Sequence, residues 1–165
     1  MPATYEKIAT TTLGSPNTTI TFSSIPSTYT DLRLTLVASI TTGSDVVNMR
    51  FNGDTATNYS NTTLYGTGSA AGSFRKTNDN KIGFNDGTAG ISTVIDFYTA
   101  DIFSYAGSTN KTCLKTTSDD KNGSGGVEVS VSLWRSTSAI NSVSVFSGTT
   151  FATGTTAALY GILRA

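Results

Sequence analysis

An all-β fold, an antiparallel β-sandwich of jelly-roll-like layout with about ten strands, is what this sequence predicts, and three observations predict it. Apolar residues recur at every second position in several stretches: Leu32, Leu34, Leu36, Ala38 and Ile40; Val47, Met49 and Phe51; Val127, Val129, Val131 and Leu133. That period puts one side of a strand in a core and the other in solvent. Gly, Asn, Asp and Ser gather between such stretches at roughly ten-residue spacing, which is the turn chemistry of a sandwich. No helix cap or long 3.6-residue period supports a helix even in Ile91 to Ala100, and no exact internal repeat suggests a propeller or solenoid.

Taken in order, Tyr5 to Leu13 is Thr-rich and mildly apolar, and Gly14-Ser15-Pro16-Asn17 separates it from Thr19 to Ser23, with Ile20 and Phe22 inward. These two are expected to pair. Pro26 interrupts the pattern, because proline removes a ladder donor and restrains its predecessor. The Tyr29 to Phe51 stretch then reads as two strands joined through Thr41 to Asp45, expected to pair antiparallel over one buried face.

From Asn52 to Gly90 the pattern weakens. Tyr59, Leu64 and Tyr65 mark a strand, Gly66 to Gly72 a small-residue loop, and Ile82 and Phe84 a short edge strand in a surface excursion flanked by Asn78-Asp79-Asn80 and Asn85-Asp86-Gly87. In Ile91 to Ala100 the consecutive Val94, Ile95, Phe97 and Tyr98 suggest burial on both faces or a twist, with a short helix as the alternative. Cys113 and Leu114 belong to the next strand, Ser118 to Gly126 is the plainest exposed loop, and Val127 to Leu133 is a strand with its valines inward. Val143 and Val145 make another. Ala157 to Leu163 is apolar on both parities, the mark of a strand placed centrally in a sheet.

At 165 residues the chain fits a single domain over 1–165, long enough to bury a core without staples. The hydrophobic share is 37% and the charged share 13%, so hydroxyl and amide side chains make up the balance as the solvent faces of strands. Net charge is zero, with Lys and Arg scattered singly, which leaves no electrostatic footprint for nucleic acid. No apolar run reaches membrane-spanning length, and Met1 to Glu6 lacks the basic and apolar parts of a secretory leader, so a soluble chain is expected. Five Asn-x-Ser/Thr triplets, at Asn17, Asn58, Asn61, Asn110 and Asn122, are what chance gives in a chain this rich in Ser and Thr.

Histidine is absent from the sequence, and with it the usual general base, the usual partner of a Ser or Cys nucleophile and the commonest transition-metal ligand. Asp96 is the best placed carboxylate for glycosidase chemistry, but it reads more simply as an outward strand residue or a turn former. Cys113 is the single cysteine; its flanking Lys111 and Lys115 would lower a thiolate pKa, yet nothing pairs it for catalysis. Asn52-Gly53-Asp54 and Asn78-Asp79-Asn80 offer oxygen ligands without the spacing of a calcium loop, and the glycines of Gly123 to Gly126 precede a strand where a phosphate loop would open a helix. The residues thus point to no catalytic group, no metal and no cofactor.

Three stretches carry a resemblance. They are Ala3 to Gly14 with Ile20 to Pro26 and Tyr29 to Leu32; Arg50-Phe51-Asn52-Gly53-Asp54 with Asn58-Tyr59-Ser60; and Ala158-Leu159-Tyr160-Gly161-Ile162. Together they resemble a family of small β-rich virion structural proteins of tailed bacteriophages. The resemblance implies a non-enzymatic structural protein located in the virion, on the capsid surface or in the tail. Its first expectation is a capsid decoration (cement) protein, partnered by the major capsid protein or other virion proteins. The alternative is a receptor- or glycan-binding module of a tail fibre, using exposed loops and aromatics such as Tyr59 and Tyr65. The middle, from Leu64 to Gly126, matches poorly and is where a surface particular to this chain would lie.

One interface follows from parity. With Val127, Val129, Val131 and Leu133 inward, Trp134 faces out beside Arg135, and Phe146 stands in the same relation to Val143 and Val145. Exposed rings beside an Arg are typical of interfaces. Trp134, Arg135 and Phe146 are accordingly the expected contact residues of a homo-oligomer, a trimer by analogy with virion surface proteins, or of a capsid contact; the competing reading tucks Trp134 under a loop at the end of its strand.

Overall fold

The computed structural model describes residues 4–88 and 90–163; Met1 to Ala3, the start of the segment tested for a leader, lie outside the described residues. Twelve strands run in chain order: β1 (Tyr5–Thr12), β2 (Asn17–Phe22), β3 (Asp31–Ala38), β4 (Asn48–Phe51), β5 (Tyr59–Gly66), β6 (Ala71–Asp79), β7 (Ile82–Gly83), β8 (Asp96–Phe103), β9 (Lys111–Asp120), β10 (Gly125–Trp134), β11 (Val143–Phe151) and β12 (Thr156–Ile162). They form two antiparallel sheets packed as a sandwich, with no helix among the described residues.

The smaller sheet has the order β2-β11-β4-β7, and the larger one β1-β12-β3-β8-β9-β10-β5-β6. Eight of the strands divide between the layers, β1, β3, β8 and β12 in one and β2, β4, β7 and β11 in the other, with every step along the chain changing layer except the one from β4 to β7. This is the jelly-roll-like arrangement the sequence predicts. The other four are two hairpins inserted into it, β5-β6 between β4 and β7, and β9-β10 between β8 and β11. They join each other through the β10-β5 ladder and dock on β8 through β9, so the larger sheet carries a four-stranded wing beyond the scaffold.

The scaffold core follows the period-two pattern. Leu32, Leu34, Leu36, Ala38 and Ile40 are at most 1% exposed and join Phe22, Met49, Phe51, Val143 and Val145 in one apolar cluster. Each such side chain contributes about 1.5–3 kcal/mol relative to leaving it in water. β12 lies between β1 and β3, central as its two-sided apolar sequence predicts.

Several expectations change. β3 and β4 do not pair; they sit in different sheets and share the core across the sandwich. The segment between them climbs from one layer to the other, held by bridges Ile40 to Phe151 and Asp45 to Ile91 and by the Asp45 carboxylate, which accepts from Ser147 Oγ and Thr149 N at 2.7 Å each. β1 and β2 likewise separate, pairing with β12 and β11. Ala71 to Asp79, polar on both faces, is a full strand. Residues 96–103 form a strand with Tyr98 inward and Phe97 outward, and Val94 and Ile95 are exposed, so the run is neither helical nor buried on both sides. Ile82 to Asn85 is buried, not a surface excursion. The Ser118 to Gly126 loop shrinks to the tip of the β9-β10 hairpin.

β10 is the largest correction. Val127, Val129 and Val131 are 53%, 43% and 52% exposed, while Glu128, Ser130, Ser132 and Trp134 are at most 2% exposed. The alternation is there, with the opposite side inward.

Candidate interaction surface

The reason lies in what covers the wing. Over β3 and β8 the larger sheet meets strands, but over β9, β10 and β5 it meets the end of β7 and the connection that follows, and a buried chain segment of this kind brings main-chain groups that no ladder satisfies. The wing's inner side chains supply the partners. Lys115 Nζ and Asn61 Nδ2 both donate to Gly83 O, the latter at 3.2 Å. Thr117 Oγ1 donates to Phe84 O at 3.0 Å, and Glu128 Oε1 accepts from Gly87 N and Thr88 N at 2.7 Å each. Gly87 fits between two rings, since a Cβ there would stand 2.8 Å from Tyr65 Cδ1 and 2.9 Å from Phe74 Cε1. Polar residues point inward because the lid is backbone.

At the far end of the wing the lid becomes apolar again. Trp134 packs on Phe51 and Tyr59, ring centroids 5.6 and 6.3 Å away, and its Nε1 donates to Asp54 Oδ2 at 2.7 Å. Asp54 also accepts from Asn58 Nδ2 and from Ala56 N, and these hydrogen bonds, with Asn58 foremost, hold its carboxyl below the usual range. Tyr59 completes the clamp through Phe51 and Asp54 main-chain groups, and burial pushes its phenol up to about 12.

On the outer side, inter-strand register lays the exposed side chains in rows. Val37 faces Phe97, then Ser118 and Val127; Thr99 faces Thr116, then Val129 and Leu64; Leu114 faces Val131, then Thr62 and Arg75. Phe97 is 54% and Leu64 63% exposed. Beside Val131 and Leu133 an open groove of about 300 Å³ is lined by Ser60, Thr62, Thr77 and two guanidinium groups, Arg75 and Arg135.

The three residues expected at an interface do not come together. Trp134 is 2% exposed and belongs to the core cluster, which corrects the outward placement; it is inward because the whole of β10 is turned the other way, its ladders running unbroken to Trp134, and not because the strand end tucks it under a loop. Arg135 is half-buried, donating to Thr57 O at 2.7 Å and Asn78 Oδ1 at 2.9 Å. Phe146 is outward on the smaller sheet, as its parity predicts, with the Arg50 guanidinium 4.6 Å above its ring. Tyr59 is wholly buried and is no sugar-stacking surface, and Tyr65 packs against Phe74 at 6.3 Å. The apolar outer face escaped sequence reading; its one available signal is that Glu128 and Trp134 share a parity, so a strand with Trp inward must also bury the glutamate.

Reactive groups are locked away. Asp96 faces inward, correcting the outward reading; Tyr98 Oη donates to it at 3.1 Å, and burial pushes its carboxyl up to about 6. Burial moves the Lys115 ammonium down to about 8 and the Cys113 thiol up to about 12, outweighing the neighbouring Lys115 charge. Glu128 is raised by burial, against the hydrogen bonds from Gly87 and Thr88. Among the described residues no group of three or more His, Cys, Asp or Glu side chains is placed to hold a metal. The groove's two guanidinium groups and its hydroxyls are donors suited to an anionic or hydroxylated group.

Comparison with protein-family models, with curated proteins and with solved structures gives no match in any of the three.

Proposed function

We propose that this chain is a non-enzymatic structural protein of a bacteriophage virion, seated on the capsid as a decoration protein. The observation that carries the reading is where the resembling stretches fall: they build scaffold strands and the turn after β4 and reach the wing only at Tyr59 and Ser60, whereas the poorly matching middle supplies most of the wing together with β7 and β8. The first and last lie side by side, with Glu6 opposite Gly161 and Lys7 opposite Tyr160. Gly161 is required there, because a Cβ would lie 2.3–2.4 Å from the Tyr29 ring. The second stretch is the turn that clamps Trp134: Asn52 and Gly53 adopt φ of 51° and 65°, and Asp54 takes the indole. A shared scaffold with a surface of its own suits a protein whose task is contact. Electron cryomicroscopy of the virion tests the reading: many symmetry-related copies on the head support it, and copies confined to the tail overturn it.

The Arg75 and Arg135 groove favours a second reading, a tail-fibre module that binds a carboxylated glycan. Binding of an acidic polysaccharide by the purified protein, lost in Arg75→Ala, would support this alternative; equal retention by the variant would remove it.

A further inference from the structure

We propose that the outer face of the larger sheet, centred on Val129 and Val131, is covered by the same face of a second copy of this chain. The inference stands on the surface alone and does not depend on the virion reading.

The buried lid explains why polar side chains face inward on β9, β10 and β5, but it places no demand on the side that faces out. Threonine would satisfy the outer positions as well, being β-branched and polar, and the sequence uses it there at Thr62, Thr99, Thr112 and Thr116. Val127, Val129, Val131, Leu114, Leu64 and Phe97 are therefore a choice that an isolated wing does not need. Register makes them contiguous: Val129 sits directly opposite Leu64, Val131 opposite Leu114, and Val127 opposite Ser118, which faces Phe97. At their exposures of 37% to 63% these side chains present on the order of 400–500 Å². That is as large as the largest apolar patch of a typical monomer, and over half of the roughly 800 Å² each partner brings to a standard interface.

Charge selects the occupant. The outward positions of β9 from Thr112 to Ser118, and those of β10 and β5, carry no Lys, Arg, Asp or Glu. On the flanking strands Arg33 and Asp101 face each other at 3.5 Å, and Arg75 donates to Thr62 Oγ1 at 3.2 Å at the margin. A neutral centre with charges only at its edge is the anatomy of an interface. It asks for no partner of opposite sign, and it meets its own copy without repulsion, as a two-fold contact between identical patches requires. Two such faces would stack as sheets do, with Val and Thr side chains interleaved.

Sedimentation equilibrium of the full chain tests this. The wild type is expected at twice the chain mass, and the double variant Val129→Lys with Val131→Lys at the chain mass, with an unchanged β-sheet circular dichroism spectrum. Thr19→Lys with Thr21→Lys, which adds the same two charges on the outer face of the smaller sheet, is expected to stay paired. Should the double lysine variant fail to fold, the milder Val129→Thr with Val131→Thr is expected to weaken association tenfold or more. A wild type that stays monomeric at its highest soluble concentration overturns the proposal. So does a mass of three or more copies, or folded variants that associate as the wild type does.

Discussion

One row of the larger sheet compares the two halves of the molecule residue by residue. Leu36 pairs with Tyr98, Tyr98 with Thr117 and Thr117 with Glu128, so a single inward line runs from the scaffold into the wing. It begins as hydrocarbon and ends as a carboxylate, and every member is nearly inaccessible, at 1% for Leu36 and Glu128. The backbone geometry is the same throughout; only the lid differs. Where the lid is another sheet, whose main-chain groups are used up in its own ladders, the inner face must be apolar. Where the lid is a loop with free N–H and C=O groups, the inner face must offer partners, because each buried unsatisfied group costs about 1–3 kcal/mol. Hydrophobicity thus reports what a strand faces, and only indirectly which way is in.

The largest test falls at the junction, where Trp134 belongs to the wing but packs on scaffold Phe51. Trp134→Ala opens a cavity and leaves Asp54 Oδ2 without its indole donor, so a loss of about 3–5 kcal/mol is expected in denaturant unfolding. A loss below about 1 kcal/mol would mean that the ring is not core and that scaffold and wing divide elsewhere. Glu128→Ala probes the loop-covered half alone. It strands the amides of Gly87 and Thr88, with an expected loss of about 2–3 kcal/mol. Hydrogen exchange should accelerate over residues 84–88 and stay unchanged in β3, whereas Glu128→Gln, which keeps an acceptor, should restore most of the protection.

Asp96 marks the other seam, buried at 1% exposure on β8 with Oδ1 unpaired. Its carboxyl is raised from 3.8 to about 6 by burial. A raised pKa contributes stability that is complete below the unfolded value and lost as pH rises through the folded one. Between pH 4 and 6.5 the wild type should therefore lose about 2 kcal/mol that Asp96→Asn does not, since a tenfold change in proton affinity corresponds to about 1.4 kcal/mol. Parallel pH profiles for the two proteins would show that Asp96 ionises freely and that its surroundings are wetter than its burial indicates.

The scaffold is legible in the sequence because its strands face strands. Leu32 to Ile40, the valines of β11 and the two-sided β12 all reveal the correct inward side or position through composition and period. Pairing partners are not legible, since a period of two carries no information on which strand lies alongside, and sequence neighbours such as β3 and β4 are the default pairing. The wing misleads for a sharper reason: Val127, Val129 and Val131 satisfy every rule for an inner face except the one that depends on a distant loop, residues 83–88. β6 leaves no pattern at all, being polar on both sides. Of the candidate site, parity places Phe146 on the correct side and Trp134 on the wrong one, and it assigns the valine face to the core.

The smallest expected effect isolates that reversal in two adjacent residues. Val129 is 43% exposed on the outer face, and Ser130 is 2% exposed on the inner one with its Oγ bonded to Thr63 Oγ1 at 2.9 Å. In an ordinary strand of this pattern, Val to Thr would be damaging and Ser to Val would be harmless. Here the order inverts. Ser130→Val leaves the buried Thr63 hydroxyl without that partner and should cost about 1 kcal/mol or more. Val129→Thr keeps shape and strand propensity at an outward site, so the isolated subunit should change by no more than about 0.5 kcal/mol. The same substitution acts differently once two copies meet, because association raises the melting temperature with concentration. Thermal melts over a hundredfold dilution series, roughly 2.7 kcal/mol of mass action for a saturating partner, should therefore show Tm climbing with concentration for the wild type and a flatter line for Val129→Thr, the two converging at the dilute end. Divergence at the dilute end would place Val129 in the core of the single subunit and undo the contrast between the two halves.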